Sequence, residues 1–236
     1  MIILGIDTSG RDGSVALARG SGECFEMLGF MPIAGGTYSA QLIPALAALL
    51  EGASLAKGAI DLLAVASGPG SFTGLRVGLS TVKGLAEALT KPIVAVSLLA
   101  STAAAARQTA SVVAALDAQR GEVYAGEYQV VHSEMPSELR THLIAEVLLR
   151  LEDFTAWLGA RIPAPVTYTP DATVEKALRQ SDSPVEQIPR PAADLIARLG
   201  VAKYLQGLAI SAEALDANYL RRSDAEIFSA PRRPPE

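Results

Sequence analysis

The chain has 236 residues, half of them hydrophobic, with 20 basic against 25 acidic side chains and a formal charge of -5. That is ample material for one large or two small cores, and it excludes a stand-alone nucleic-acid binder, which needs a basic stripe or patch. The single cysteine, Cys24, excludes an internal disulfide; "MIILGIDTSG" has no basic segment before its short apolar run, so neither export nor membrane insertion is expected and the cytoplasm is the expected compartment.

The first hundred residues parse by period. "MIILGID" is an apolar run of buried-strand length, and "SVALARG" (Ser14 to Gly20) and "ECFEMLGF" (Glu23 to Phe30) follow at hairpin spacing, with "SGRDG" as turn chemistry. A helix from Ser39 to Glu51 comes next, then a strand from Ile60 to Ser67 and a glycine-containing helix from Phe72 to Leu89. A strand from Pro92 to Ser97 and an alanine-rich helix from Leu98 to Arg107 complete the set. The order is βββαβαβα.

From Ser111 the pattern recurs: "SVVAALD", "EVYAGEYQVV" and "LRTHLIA" read as strands. A helix from Ala145 to Leu158 is expected next, with Val147, Leu151, Phe154 and Trp157 at helical spacing. Strand "PVTYT", helix "ATVEKALRQ", strand "PVEQI" and helix "PAADLIARLGVAKYLQG" close the second set. Two similar halves imply a duplication that puts Asp7 and Asp117 at equivalent hairpin mouths. The fold class is therefore α/β, with two tandem ribonuclease-H-like lobes at 1–102 and 103–212 and a C-terminal segment at 213–236 whose end, "SAPRRPPE", reads as disordered. Actin, sugar kinases and Hsp70 ATPase domains share this architecture and clasp nucleotide phosphates between their hairpins. Asp7, Ser9, Gly68, Gly70 and Asp117 then form a candidate nucleotide cleft, with ATP or ADP as a weak or shared ligand. The competing reading of Asp7 is a strand-end carboxylate that caps its own turn.

"SGPGSFTGLRVGLSTVKGLAEAL" admits three readings. Gly68, Gly70 and Gly74 are spaced G-x-G-x-x-x-G, which meets neither the dinucleotide nor the P-loop fingerprint. A tight turn at Pro69 and Gly70, capped by Ser71 or Thr73, leads into the helix, and its free N–H groups could hold an anion. Neither explains glycines inside the helix, each of which costs about 1 kcal/mol relative to alanine. Gly74, Gly78, Thr81, Leu85 and Ala88 share one narrow face, shaped for close approach by another helix. The helix around Leu42, Ile43, Leu46 and Leu50 is apolar on nearly every side, with Pro44 inside it. Two such neighbours predict a helical interface with a second chain.

Reactive groups are sparse. His132 and His142 have no second ligand at a coordinating spacing, so no metal site is expected. Cys24 reads as a small core residue of a strand, and Ser9, Ser71 and Thr73 as turn and cap residues.

"GIDTSGRDGSVAL", "YSAQLIPAL", "SGPGSFTGLRVGLSTVKGLA", "LDAQRGEVYAG" and "NYLR" together resemble the TsaB (YeaZ) family of the glycoprotease-like group, bacterial tRNA threonylcarbamoyladenosine biosynthesis proteins. The resemblance implies an actin-like fold without catalytic power or a required cofactor. It implies pairing with TsaD, which carries the metal and transfers the threonylcarbamoyl group to adenosine 37 of tRNA, and completion of the assembly by the ATPase TsaE. A homodimer in isolation, tRNA contact only through the complex and no membrane association also follow from it. The partner-binding set it implies is Tyr38, Leu42, Ile43, Leu46, Leu50, Gly74, Val77, Gly78, Thr81 and Leu85. Two departures are visible: Tyr38 stands in place of the family's usual histidine, and Ala217 in place of the usual proline before "NYLR". The alternatives are a stand-alone phosphotransferase using Asp7 and Asp117 around magnesium, and a peptidase.

Overall fold

The computed structural model describes residues 1–161 and 163–220. Ile2–Asp7 (β1) is buried on both faces and takes the centre of the first sheet. Gly13–Gly20 (β2) pairs with it antiparallel and Phe25–Ile33 (β3) pairs antiparallel with β2. After the helix Tyr38–Gly52 (α1), Ile60–Gly68 (β4) returns parallel to β1. Phe72–Leu89 (α2), Ile93–Ser97 (β5) and Leu98–Ala105 (α3) follow. The sheet order is β3-β2-β1-β4-β5.

The second half repeats this plan. Ala110–Gln119 (β6) is central, Glu122–Val131 (β7) and Arg140–Arg150 (β8) form the meander, and Thr167–Thr169 (β9) and Val185–Gln187 (β10) extend the sheet in parallel. Leu151–Gly159 (α4), Ala172–Gln180 (α5) and Ala193–Leu205 (α6) are its helices. Read from the other edge, β8-β7-β6-β9-β10 matches the first sheet strand for strand. The duplication read from the sequence is thus a duplication of topology.

Strand alternation sorts the core into four layers. Leu4, Ile6, Leu63 and Val65 face Leu42, Leu46, Leu75 and Val82 of α1 and α2. Ile3, Leu62 and Ala64 face Ile196, Leu199 and Val201 of α6, so the last helix among the described residues covers the first sheet. The exchange is reciprocal: Leu98 and Leu99 of α3 pack with Val112, Ala114 and Tyr128 of the second sheet, whose other face carries Phe154 of α4 and Leu178 of α5. Each fully buried Leu, Ile or Phe contributes about 1.5–3 kcal/mol by leaving water. A boundary at 102/103 falls inside α3, because each half contributes its last helix to the other.

Three sequence expectations need correction. Ala145 to Arg150 is not helical; β8 continues to Arg150, paired with β7 from Val131↔Arg140 to Glu122↔Arg150 with one register shift between Glu127 and Tyr128. Val147 and Leu149 pack on the α4 side and Leu148 on the α3 side, so a strand apolar on both faces mimicked a helical run. Cys24 is exposed in the turn before β3, where its amide N–H is donated to Ser21 Oγ, rather than buried in a strand. The helix expected to end at Arg107 stops at Ala105, and Arg107 takes a left-handed φ of 53°. Leu215 is buried in the first core and the Asn218 N–H donates to Ser67 O at 2.7 Å, so this stretch runs back over the first lobe. The rest of the segment to Arg222, and the tail "SAPRRPPE", lie outside the described residues.

Candidate functional site

The two hairpin mouths carry the same local device. Asp7 Oδ1 accepts the Ser9 N–H at 2.8 Å and the Ser9 hydroxyl at 2.6 Å. Asp117 Oδ1 accepts the Gln119 N–H at 2.7 Å, and its other oxygen accepts Gln119 Nε2 at 3.4 Å. Each carboxylate closes a turn onto the residue two positions on, the turn-capping role weighed against nucleotide binding. The mouths differ in depth. Asp7 is 3% exposed, and burial drives its carboxyl above the usual range, opposed first by the Ser9 hydroxyl, then by the Ser9 N–H and the Arg190 charge.

Two residues that sequence reasoning missed connect the mouths. Arg190, after β10, donates to Asp171 Oδ1 at 3.2 Å, and Asp171 Oδ2 accepts the Asp117 N–H at 2.8 Å. The Arg190 guanidinium also lies beside Gly10 of the first mouth. No motif signals this role: a lone arginine between two prolines carries no spacing to read.

The glycine-rich segment serves the first mouth. A Cβ on Gly70 would run into Ser9 O, one on Gly74 into Thr8 O, and one on Gly78 into Thr8 Oγ1. The approach is bonded: Thr8 Oγ1 donates to Gly74 O at 2.8 Å and the Ser71 N–H donates to Ser9 O at 2.7 Å. Ser71 caps α2 by accepting the Gly74 N–H. The expectation that Gly74 and Gly78 admit a partner helix is therefore corrected: they admit Thr8 of the same chain.

Tyr38, Leu42, Leu46 and Leu50 are likewise buried within the chain. The Tyr38 hydroxyl donates to Gly10 O at 2.9 Å, and burial, then Asp7 and Asp12, pushes its phenol up to about 12. What α1 and α2 leave exposed is different. On α1 it includes Ile43, at 49%, with Pro44, Ala47 and Ala48, beside the polar Ser39, Gln41 and Glu51; on α2 it includes Gly84 and Ala88 beside Thr73, Arg76, Ser80 and Glu87, with Val77, Thr81 and Leu85 half-buried. A Cβ on Gly84 would meet nothing within 4 Å. The two helices pack side by side, and their outer surface carries a strip of small apolar residues bordered by polar and charged ones. Among the described residues, no cluster of three or more His, Cys, Asp or Glu could hold a metal ion, and no helix is long and apolar enough to cross a membrane.

A family model described as TsaD, tRNA N6-adenosine threonylcarbamoyltransferase, matches residues 27–194. The tRNA threonylcarbamoyladenosine biosynthesis protein TsaB of Haemophilus influenzae is 32% identical, covering 94% of this chain and 94% of that protein. The chain belongs to the TsaB family. Its Escherichia coli relative of the same name is 28% identical over 95% of this chain and 96% of that one. YeaZ from Pseudomonas aeruginosa superposes with a TM-score of 0.70 at 28% identity, over 92% of this chain and 100% of that one. A ROK hexokinase from Thermus thermophilus, at 0.50 and 13% identity over 88% of this chain and 100% of that one, shares the actin-like fold alone. Family membership places the chain in tRNA threonylcarbamoyladenosine biosynthesis.

The buried Asp7 gives a pH prediction. Its carboxyl titrates higher in the folded than in the unfolded chain, so its contribution to stability is present below the unfolded value near 3.8 and is lost as pH rises through the folded one. Asparagine keeps the Oδ1 acceptor for Ser9 and carries no charge. Asp7→Asn is therefore expected to melt higher than the parent at pH 7, and the gain is expected to vanish at pH 3; Asp7→Ala, which loses the acceptor, melts lower at both. A lower melting temperature for Asp7→Asn at pH 7 would show that the carboxylate stabilises the mouth.

Proposed function

We propose that this chain is the non-catalytic subunit of a threonylcarbamoyl transferase assembly, and that it docks through the outer face of α1 and α2 onto TsaD. The observation that carries the reading is that face itself: Ile43, Pro44, Ala47, Ala48, Gly84 and Ala88 form a strip of mostly small apolar residues on two adjacent helices, bordered by exposed Gln41, Ser80, Arg76 and Glu87. Small residues let helix backbones approach closely, and two helix pairs meeting this way make a four-helix contact. The family-model match supports a partner of related fold, because two chains sharing a helix pair can join it by pseudo-twofold symmetry. The same symmetry gives a homodimer in TsaD's absence. In the cytoplasmic assembly TsaE supplies ATPase activity and tRNA contact comes through the complex; adenine nucleotide, if bound between the hairpin mouths, is weak or shared. The non-catalytic role is supported by the use of Asp7 and Asp117, whose oxygens close their own turns.

The test is a charge on the face at positions where the isolated fold does not resist it. Ala47→Arg and Gly84→Arg both replace exposed residues, and each puts an unpaired guanidinium into the contact. Co-purification and calorimetry with TsaD are expected to show at least ~100-fold weaker pairing for the double variant, about 3 kcal/mol, with its circular dichroism unchanged and its melting temperature no lower than the parent's. Pairing within twofold of the parent would remove this face from the assembly.

A further inference from the structure

We propose that a second site, a groove of about 610 Å³ between the lobes, binds a small organic anion with an apolar body, its head a carboxylate or a phosphate monoester. The groove is walled by Phe25 and Met27 of β3, by α3's C-terminal end and by α6, and it extends from His132 to the Pro189–Ala192 loop. None of Asp7, Ser9, Gly68, Gly70 or Asp117 lines it, and it lies away from the outer face of α1 and α2. The inference is independent of the docking reading.

Two buried nitrogens call for a ligand. Arg198 Nε and His132 Nδ1 are both shielded from solvent and have no hydrogen-bond partner, although both side chains line the groove. An arginine Nε–H is a donor only, so what satisfies it must be an acceptor, and an orphaned donor at such a place is costly to leave unpaired. The charges agree. Arg107, Arg190 and Arg198 line the groove against Glu186 and Asp194. Arg190 is committed to Asp171, Glu186 lies beside the Tyr168 hydroxyl, and Asp194 lies in the first turn of α6, where a carboxylate complements the helix dipole. Arg198 Nη2 donates to Ser133 O at 2.9 Å and to Glu134, which also lies near His132 Nε2 and whose side chain is 75% exposed and screened by water. Arg107 ends the stretch from α3 with a left-handed backbone that favours glycine, yet an arginine stands there. Met27, Leu139, Ile188 and Leu195 give the rest of the groove an apolar lining. A cationic end with unspent donors beside an apolar wall fits an anionic head on an apolar body.

The test uses the full chain with phenyl phosphate, benzoate and inorganic phosphate as probes, read by calorimetry and thermal shift. Saturable binding of phenyl phosphate or of benzoate is expected, at least tenfold tighter than inorganic phosphate; which of the two binds identifies the head group. Arg107→Gln and Arg198→Lys, the second of which keeps the charge and loses the Nε donor, are each expected to weaken it at least tenfold. Met27→Trp, at a position 39% exposed on β3, is expected to block it by filling the groove without altering the ligand-free melting temperature. Absence of saturable binding by both aromatic anions, or equal binding by the parent and all three variants, would overturn the site.

Discussion

Gly78→Leu is expected to lower the stability of the isolated chain by about 3 kcal/mol and its melting temperature by roughly 6–12 °C. The Cβ alone would run into Thr8 Oγ1, and Thr8 cannot retreat cheaply, because its hydroxyl is bonded to Gly74 O at 2.8 Å and the side chain is 1% exposed at the mouth of the first hairpin. Either α2 lifts from the hairpin or the bond breaks, and both expose the layer that holds Leu75 and Leu79. Gly84→Ala is the internal control. It sits two turns further along the same helix with open space around it, so removing a mid-helix glycine is expected to stabilise by up to about 1 kcal/mol. Calorimetric unfolding of the two variants separates the cases; a Gly78→Leu melting point within about 1 °C of the parent would show that α2 yields freely to Thr8. This is also why Gly84, and not Gly78, suits a docking experiment.

Gly74 and Gly78 illustrate what a single sequence discloses. Their place inside a helix was legible as a demand for close approach, and so was the face they share, because periodicity and propensity are local. The body that approaches them was not legible, since Thr8 lies 66 residues from Gly74 and comes near only through the parallel pairing of β1 with β4. The repeated βββαβαβα order was readable for the same local reason that the turns were: "SGRDG" and "AQRG" interrupt alternating apolar runs. The stretch Ala145 to Arg150 failed because a strand half-buried and apolar on both faces has no period-two signature, and pairing with β7 decided its state. Asp7 and Asp117 could be matched from sequence, but their depth could not. The Arg190–Asp171 link between them joins elements with no shared pattern.

The second large effect is expected behind the cleft, where one carboxylate gathers donors from both lobes. Glu146 Oε1 accepts the Tyr128 hydroxyl and, at 3.1 Å, the Ser97 hydroxyl that also caps α3; Oε2 accepts Asn218 Nδ2 at 2.9 Å. Tyr128 is 2% exposed, and burial with the neighbouring Glu146 charge holds its phenol protonated well above the usual range. Lys203, whose ammonium donates to Ala95 O at 2.8 Å, is held below 10.5 by burial and drawn back upward by Glu146. Glu146→Leu leaves three part-buried donors without their acceptor and a half-buried cation without its nearby negative charge, a loss of about 2–4 kcal/mol at pH 7. The pH dependence identifies the cation's share. A lysine depressed in the folded state binds fewer protons there than in the unfolded chain, so stability rises with pH up to the unfolded value near 10.5. Without Glu146 the depression deepens and the rise steepens, so the deficit relative to the parent is expected to shrink between pH 7 and pH 10. Denaturant midpoints across that range read the difference directly. A deficit that stays constant with pH would assign the whole loss to the three hydrogen bonds and none to Lys203. A deficit below about 1 kcal/mol would mean that α3, α6 and the Ser137–Gly22 contact hold the lobes together, with this cluster only resting between them.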